Sequence, residues 1–206
     1  MVQPLGYLKE SPSQTAGPYV HIGCTPNFAG IHGIFEQDLG AGPLYDEKAR
    51  GERIAVNGMV IDGGGNPLKD ALVEIWQADA DGLHNSPSET RGTADPHFRG
   101  WGRSPGDMET GEFLFETIKP GRVPFRDGRL MAPHITFWIV ARGINLGLHT
   151  RMYFPEEVEA NAADPVLLRI EHRNRVPTLI ARKEGEGLYR FDIRLQGEGE
   201  TVFFDI

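Results

Sequence analysis

Short runs of alternating apolar and polar residues, separated by Gly- and Pro-rich turns, constrain the fold of this 206-residue chain most. Ile54, Val56 and Val60 form one face with a period of two. The turn DGGGNP follows, and then a second alternating run, LKDALVEIWQAD. Because side chains two residues apart point to the same face of a strand, both runs predict half-buried strands. The turn between them predicts that they pair as a β-hairpin.

Five further segments predict strands, and only two short segments predict helices. The helical segments are EEVEANA, with acidic residues in its first turn, and PTLIARK, with Pro at its start and basic residues at its end. Many short strands with little helix predict a mainly β protein, a β-sandwich with long loops and short helices. The predicted strands are GEFLFETI, HITFWIVARG, LHTRMYF, YRFDIRL and ETVFFDI.

The chain length is that of a single domain, residues 1–206. Residues 1–53 show little periodicity and predict an N-terminal arm that needs a partner surface to become ordered. Residues 54–206 predict the sandwich core. Within the core, residues 81–107 are polar and rich in Gly, Pro and Ser, and a loop of this length usually has a function or contacts a partner.

Charge and composition exclude several classes of function. The formal net charge of −8 argues against nucleic acid and anionic membranes as partners, and an anionic substrate would need a local Arg or Lys. The single cysteine, Cys24, excludes an internal disulfide and cysteine-rich metal sites. We see no basic-then-apolar leader and no apolar run of about 20 residues, so we expect a cytoplasmic protein.

Several motifs, taken together, resemble one family. WQAD at 76–79, TIKPG at 117–121, APHI at 132–135 and YRFDI at 189–193 resemble the intradiol ring-cleavage dioxygenases. Some members of this family consist of two kinds of subunit, of which only one binds iron. PSQTAGPY at 12–19, ARGIN at 141–145 and QGEGET at 196–201 resemble the subunit without iron. The resemblance covers almost the whole chain and keeps the order and spacing of the motifs.

The resemblance implies a family that holds a non-haem Fe(III) with two tyrosinates and two histidines. The iron acts as a Lewis acid that activates a catechol toward O2. At the matching positions this chain has His84, Val123, His134 and Thr136, and Met131 stands where catalytic members carry Arg. No tyrosine lies between positions 45 and 153, where both tyrosinates belong. The resemblance therefore implies a degenerate site without metal and no catalytic residues in this chain.

The resemblance also implies a homologous iron-binding β subunit, with which this chain forms a large αβ hetero-oligomer. Matched position by position, Thr15, Gly17, Tyr19 and Arg142 line the pocket of that subunit. The implied reaction is the O2-dependent cleavage of protocatechuate, a small aromatic acid, to 3-carboxy-cis,cis-muconate. The acidic chain as a whole repels the carboxylate of the substrate. The two terminal nitrogens of the Arg142 guanidinium, its terminal fork, can bind that carboxylate through two parallel hydrogen bonds.

Two other functions stay open at this point. One is a self-sufficient intradiol dioxygenase with altered ligands, for example His84, His134, His149 and a carboxylate, although no HxxxH pair on a helix supports it. The other is a β-sandwich that serves only as a binding or structural module. A co-purifying chain with two tyrosines and an HxH motif distinguishes the subunit from both alternatives.

Overall fold

The computed structural model describes residues 15–17 and 19–205. Residues 1–14 and Pro18 lie outside the described residues. They include part of the PSQTAGPY motif at 12–19 and part of the expected arm. Within the described part, no helix is long and apolar enough to cross a membrane. The strands are β1 (Arg53–Ile61), β2 (Leu72–Trp76), β3 (Trp101–Pro105), β4 (Glu112–Ile118), β5 (His134–Val140), β6 (Leu148–Tyr153), β7 (Arg182–Gly185), β8 (Leu188–Arg190) and β9 (Ile193–Arg194). The helices are α1 (Tyr19–Cys24), α2 (Val158–Ala163) and two 3₁₀ helices, Leu167–Arg169 and Arg173–Leu179.

The strands form two sheets, and the predicted β-sandwich is confirmed. The first sheet has the order β4-β1-β8-β7, and β9 also pairs with β1. The second sheet has the order β3-β2-β5-β6 and is antiparallel throughout. The inner faces of the two sheets share one apolar core, to which Val56 contributes from the first sheet and Phe137 from the second.

Alternation along each strand fills this core. In β1, Ile54, Val56 and Val60 are buried, as their period of two predicts. Gly58 occupies the remaining inward position because a Cβ atom there would lie 2.0 Å from the main-chain oxygen of Phe191. The close approach of the β8–β9 connection to β1 therefore requires glycine at this position.

The predicted hairpin of β1 and β2 is wrong. Asp62 does close the turn, since its Oδ1 accepts hydrogen bonds from the main-chain N–H groups of Gly64 and Asn66, both at 2.8 Å. Beyond the turn the strands separate: β1 pairs with β4, β8 and β9, whereas β2 pairs with β3 and β5. The local sequence specifies strand and turn, but strand pairing depends on distant segments of the chain.

Residues 81–107 are not all loop, because β3 lies within them and forms the edge of the second sheet. Its sequence, WGRSP, contains Gly and Pro, which weaken the strand signal but are tolerated at a sheet edge. The expected arm also contains a helix, α1, which is only six residues long and too short to show a period.

The C-terminal third needs three smaller corrections. The helix expected at PTLIARK is a 3₁₀ helix that starts earlier, contains Pro177, and is followed by strand β7. The strand expected at ETVFFDI makes a single bridge, between His149 and Phe204. The segment YRFDIRL is divided between β8 and β9. The buried carboxylate of Asp164 then ties this region to the start of β5 by accepting a hydrogen bond from the main chain of Ala132 at 2.8 Å.

Candidate functional site

Thr15 lies against the turn that carries Arg142, just after β5. Its Oγ1 accepts a hydrogen bond from the main-chain N–H of Gly143 at 2.8 Å and donates one to the carbonyl oxygen of Ala141 at 3.4 Å. Thr15 and Ala141 lie 126 positions apart in the sequence, so this contact is tertiary. The structure therefore brings two of the four sequence-predicted pocket residues, Thr15 and Arg142, to the same place.

The other two predicted pocket residues lead from this contact into α1. Gly17 has no atom within 4 Å of the position of a Cβ, and its carbonyl oxygen accepts a hydrogen bond from the main chain of Val20 at 3.1 Å. Tyr19 begins the helix with its side chain 80% exposed. His21, two residues on, is buried, and burial lowers its pKa while the charge of Asp70 opposes that effect. The helix is thus fixed at His21 and presents Tyr19 outward.

Arg142 is held by one carboxylate and remains largely open. Its Nε lies 2.5 Å from Oδ2 of Asp70, yet its side chain is 67% exposed. Besides Nε, a guanidinium has four more N–H donors on its two terminal nitrogens. Among the described residues, no other carboxylate forms a salt bridge with Arg142. The exposed guanidinium can therefore meet an external carboxylate while the ion pair with Asp70 restrains its position.

Of the four degenerate metal positions, His84, His134 and Thr136 lie together on the outer face of the second sheet. Val123 is the fourth. His134 and Thr136 stand two residues apart on β5 and share that face. Trp76 on β2 is the cross-strand partner of Thr136, and the ring of His84 stacks on Trp76 with centroids 5.7 Å apart. Both imidazoles and Thr136 therefore lie along one row.

Nδ1 of His134 has its hydrogen-bond partner within the chain. Its Nδ1 lies 2.8 Å from the carbonyl oxygen of Ala132, and because a carbonyl only accepts, Nδ1 is the donor. Burial, with the positive charge of Arg151 as a smaller cause, lowers the pKa of His134 to about 3. Burial also lowers the pKa of His84, and Arg91 adds to this. Both rings are therefore neutral at neutral pH.

The donor set does not fit Fe(III). Ferric iron needs hard anionic oxygen, such as a phenolate, but Val123 packs in an apolar cluster with Ala78 and Met131. Thr136 offers only a neutral hydroxyl, and the cation of Arg151 lies opposite it on β6. Within residues 15–17 and 19–205, no group of three or more His, Cys, Asp or Glu side chains is placed to hold a metal ion.

Sequence reasoning missed Asp70 and Arg151. Asp70 precedes β2, where we took it as part of an alternating strand. The register of β2 and β5 pairs Leu72 with Val140, and extending it by two residues places Asp70 opposite Arg142. Arg151 likewise faces Thr136 only through the β5–β6 register. Both residues can be identified only when the strand pairing is known, and the sequence alone does not show that pairing.

Comparisons with known proteins agree with these motifs. The profile of a family described as Dioxygenase matches residues 25–197. The α chain of protocatechuate 3,4-dioxygenase from Pseudomonas putida is 46% identical over 205 residues, which cover 98% of this chain and 99% of that protein. The β chain of protocatechuate 3,4-dioxygenase from Burkholderia cepacia is 36% identical and covers 82% of this chain and 75% of that protein.

A solved structure shows the same fold at lower sequence identity. The 3-chlorocatechol 1,2-dioxygenase from Rhodococcus opacus 1CP matches with a TM-score of 0.56 at 21% identity, covering 89% of this chain and 71% of that one. Its identity is too low to carry more than the fold. The family profile and the full-length relatives settle the classification: the chain belongs to the intradiol ring-cleavage dioxygenase family, which includes the protocatechuate 3,4-dioxygenase α chains.

Proposed function

We propose that the chain is the α subunit of a protocatechuate 3,4-dioxygenase and that it acts on substrate without binding iron itself. In this proposal a homologous β subunit holds the Fe(III), and the assembly cleaves protocatechuate with O2 to 3-carboxy-cis,cis-muconate. The full-length likeness to α chains supports the assignment. A cytoplasmic location, and the division into an arm (1–53) and a sandwich core (54–206), belong to the same proposal.

The observation that carries the proposal is the contrast between two places on the chain. The degenerate metal positions hold neutral or apolar groups that are engaged by other residues of the chain. At the other place, Thr15 fixes the Arg142 turn, and the guanidinium of Arg142 is largely exposed. An exposed, oriented fork suits the carboxylate of an aromatic acid. When bound in the partner, Fe(III) supplies the Lewis-acid chemistry; this chain binds and orients the carboxylate.

An apolar surface near Arg142 supports a protein partner. Residues 19–39 expose seven large apolar side chains, more than isolated surface residues would account for. Tyr19 is 80% exposed and Ile34 58% exposed. A homologous β subunit would cover this surface, in an obligate interface on the order of 2,000 Å² or more. The seven residues are Tyr19, Ile22, Phe28, Ile31, Ile34, Phe35 and Leu39.

The experiment that tests the proposal is to purify the chain alone and together with a homologous β subunit from the same organism. We expect the chain alone to be colourless and to lack stoichiometric iron, because it has no tyrosinate at the metal positions. The assembly should contain iron and cleave protocatechuate. Tight binding of Fe(III) by the chain alone, with a visible absorption band, would overturn the proposal, as would full activity of the β subunit without this chain.

A further inference from the structure

A cavity of about 600 Å³ lies beside the degenerate metal positions. Met131 and Thr136 line one side of it, and the 3₁₀ helices, β6 and the C-terminal segment close the others. Its volume lies within the roughly 300–1,000 Å³ that small-molecule sites occupy. The cavity is separate from Arg142, which does not line it.

The charge in the cavity is opposite to that of the chain. Four arginines line it, Arg126, Arg151, Arg169 and Arg175, against one carboxylate among the described residues, Glu171. The chain as a whole carries a formal net charge of −8. Such a local excess of positive charge attracts an anion that the global field repels.

Aromatic rings orient two of these arginines. The guanidinium of Arg169 lies 4.6 Å from the ring centroid of Phe125, and that of Arg151 lies 5.9 Å from the ring centroid of Phe204. Neither forms a salt bridge with a carboxylate in the described part of the chain. A guanidinium over an aromatic face still has N–H donors at its edge for a ligand, although Nη1 of Arg151 also contacts Sδ of Met131 at 3.4 Å.

One acid outside the cavity lining is already engaged. The carboxylate of Asp127 interacts electrostatically with Arg169, but it forms its salt bridge with Arg129 at 2.7 Å. Arg175, in contrast, is paired with Glu200 at 2.8 Å and is less available to a ligand. Arg151 and Arg169 are therefore the cations best placed to bind an anion in the cavity.

Much of the remaining wall is apolar, although Thr136, His149, Thr150 and His172 also line the cavity. Phe125, Val166, Ile170 and Val202 line the cavity, so an inorganic anion would leave most of its surface without favourable contacts. We infer that the cavity is a second, metal-independent site for a small organic carboxylate with an aromatic or other apolar body. The carboxylate would bind Arg151 and Arg169, and the body would lie against Phe125. This site is distinct from the proposed pocket at Arg142.

The test uses the purified assembly that contains this chain, with 4-fluorobenzoate as the probe. The probe has no hydroxyl groups, so it is not a catechol that the enzyme can cleave, and ¹⁹F NMR titration reports its binding. We expect saturable binding that Arg169→Gln and Arg151→Gln each weaken at least about tenfold, as expected for a lost charge-assisted hydrogen bond. The uncharged 4-fluorobenzamide should bind no more tightly to the wild type than 4-fluorobenzoate binds to these variants.

Controls separate this site from the proposed substrate pocket. Arg182→Gln removes a charge from an arginine outside the cavity and should leave binding unchanged. Arg142→Ala should weaken only binding at the partner's pocket. Probe binding that is indifferent to both Arg151→Gln and Arg169→Gln would overturn the inference. Arg169 contacts the cavity from an exposed position, so its variant is informative even if Arg151→Gln fails to fold. Arg169-dependent binding in a sample without any partner chain would uphold the inference even if the proposed function failed.

Discussion

Replacing Arg142 by Ala removes the terminal fork that we propose binds the carboxylate of protocatechuate. The loss of one charge-assisted hydrogen bond costs about 1.5–3 kcal/mol, which corresponds to about a 10- to 100-fold fall in kcat/KM. The carboxylate is remote from the carbons between which the ring opens and is bound alike in the ground and transition states, so KM should carry most of the fall. Iron loading of the assembly should not change.

Steady-state O2 uptake with two substrates provides the assay. Protocatechuate should be slowed by the full factor, whereas catechol, which has no carboxylate, should be slowed much less. Arg182→Ala is a matched control because the side chains of Arg142 and Arg182 are both 67% exposed. Equal slowing of both substrates by Arg142→Ala, or loss of iron, would show that Arg142 is structural and refute the reasoning.

Three further predictions concern Asp70, His134 and Gly58. Asp70→Asn weakens the Nε ion pair, so KM for protocatechuate should rise by less than in Arg142→Ala, and the double variant should show non-additive effects in a mutant cycle. The folded-state pKa of His134, about 3, lies below the unfolded value of about 6.5, so the unfolded state binds more protons and stability falls as the pH drops below 6.5. This contribution reaches up to about 2 kcal/mol at pH 5, and His134→Asn should therefore lose less Tm between pH 7 and pH 5 than the wild type; an equal loss would contradict it. Gly58→Ala places a Cβ 2.0 Å from a main-chain oxygen and should lower Tm sharply or prevent folding, whereas Gly23→Ala, with nothing within 4 Å, should not; equal Tm values would contradict the packing argument.

The position of a strand was predictable where apolar and polar residues alternate clearly, since this pattern does not depend on which strand lies beside it. β5 reads as alternating residues in the sequence and is buried in the same alternation, with Ile135, Phe137 and Ile139 inside. The pairing of β1 with β8 was not predictable, since it is parallel and joins segments more than 120 residues apart. The period of two says which side chains share a face, not which strand lies alongside.

The site residues show the same division. The resemblance selected Thr15 and Arg142, and the structure places Thr15 on the turn that carries Arg142. Whether all four selected residues contact a substrate stays a prediction. Asp70 was overlooked because its partner is found only through the β2–β5 register, although the residues on either side of it were correctly placed near a strand.

The groups at the degenerate metal positions are engaged by other parts of this chain. A site that depends on a metal leaves its ligands with unmet hydrogen bonds when the metal is absent, and buried groups of that kind are costly. Here His134 donates to Ala132, and Val123 with Met131 fills an apolar cluster where a ligand would stand. Arg142 is the opposite case, because its guanidinium is largely exposed and pairs with one carboxylate of the described chain, that of Asp70. The degenerate metal positions of this chain are filled by neutral and apolar groups, whereas Arg142 is exposed. The chain is therefore suited to contribute Arg142 to a binding site whose other residues come from a second chain.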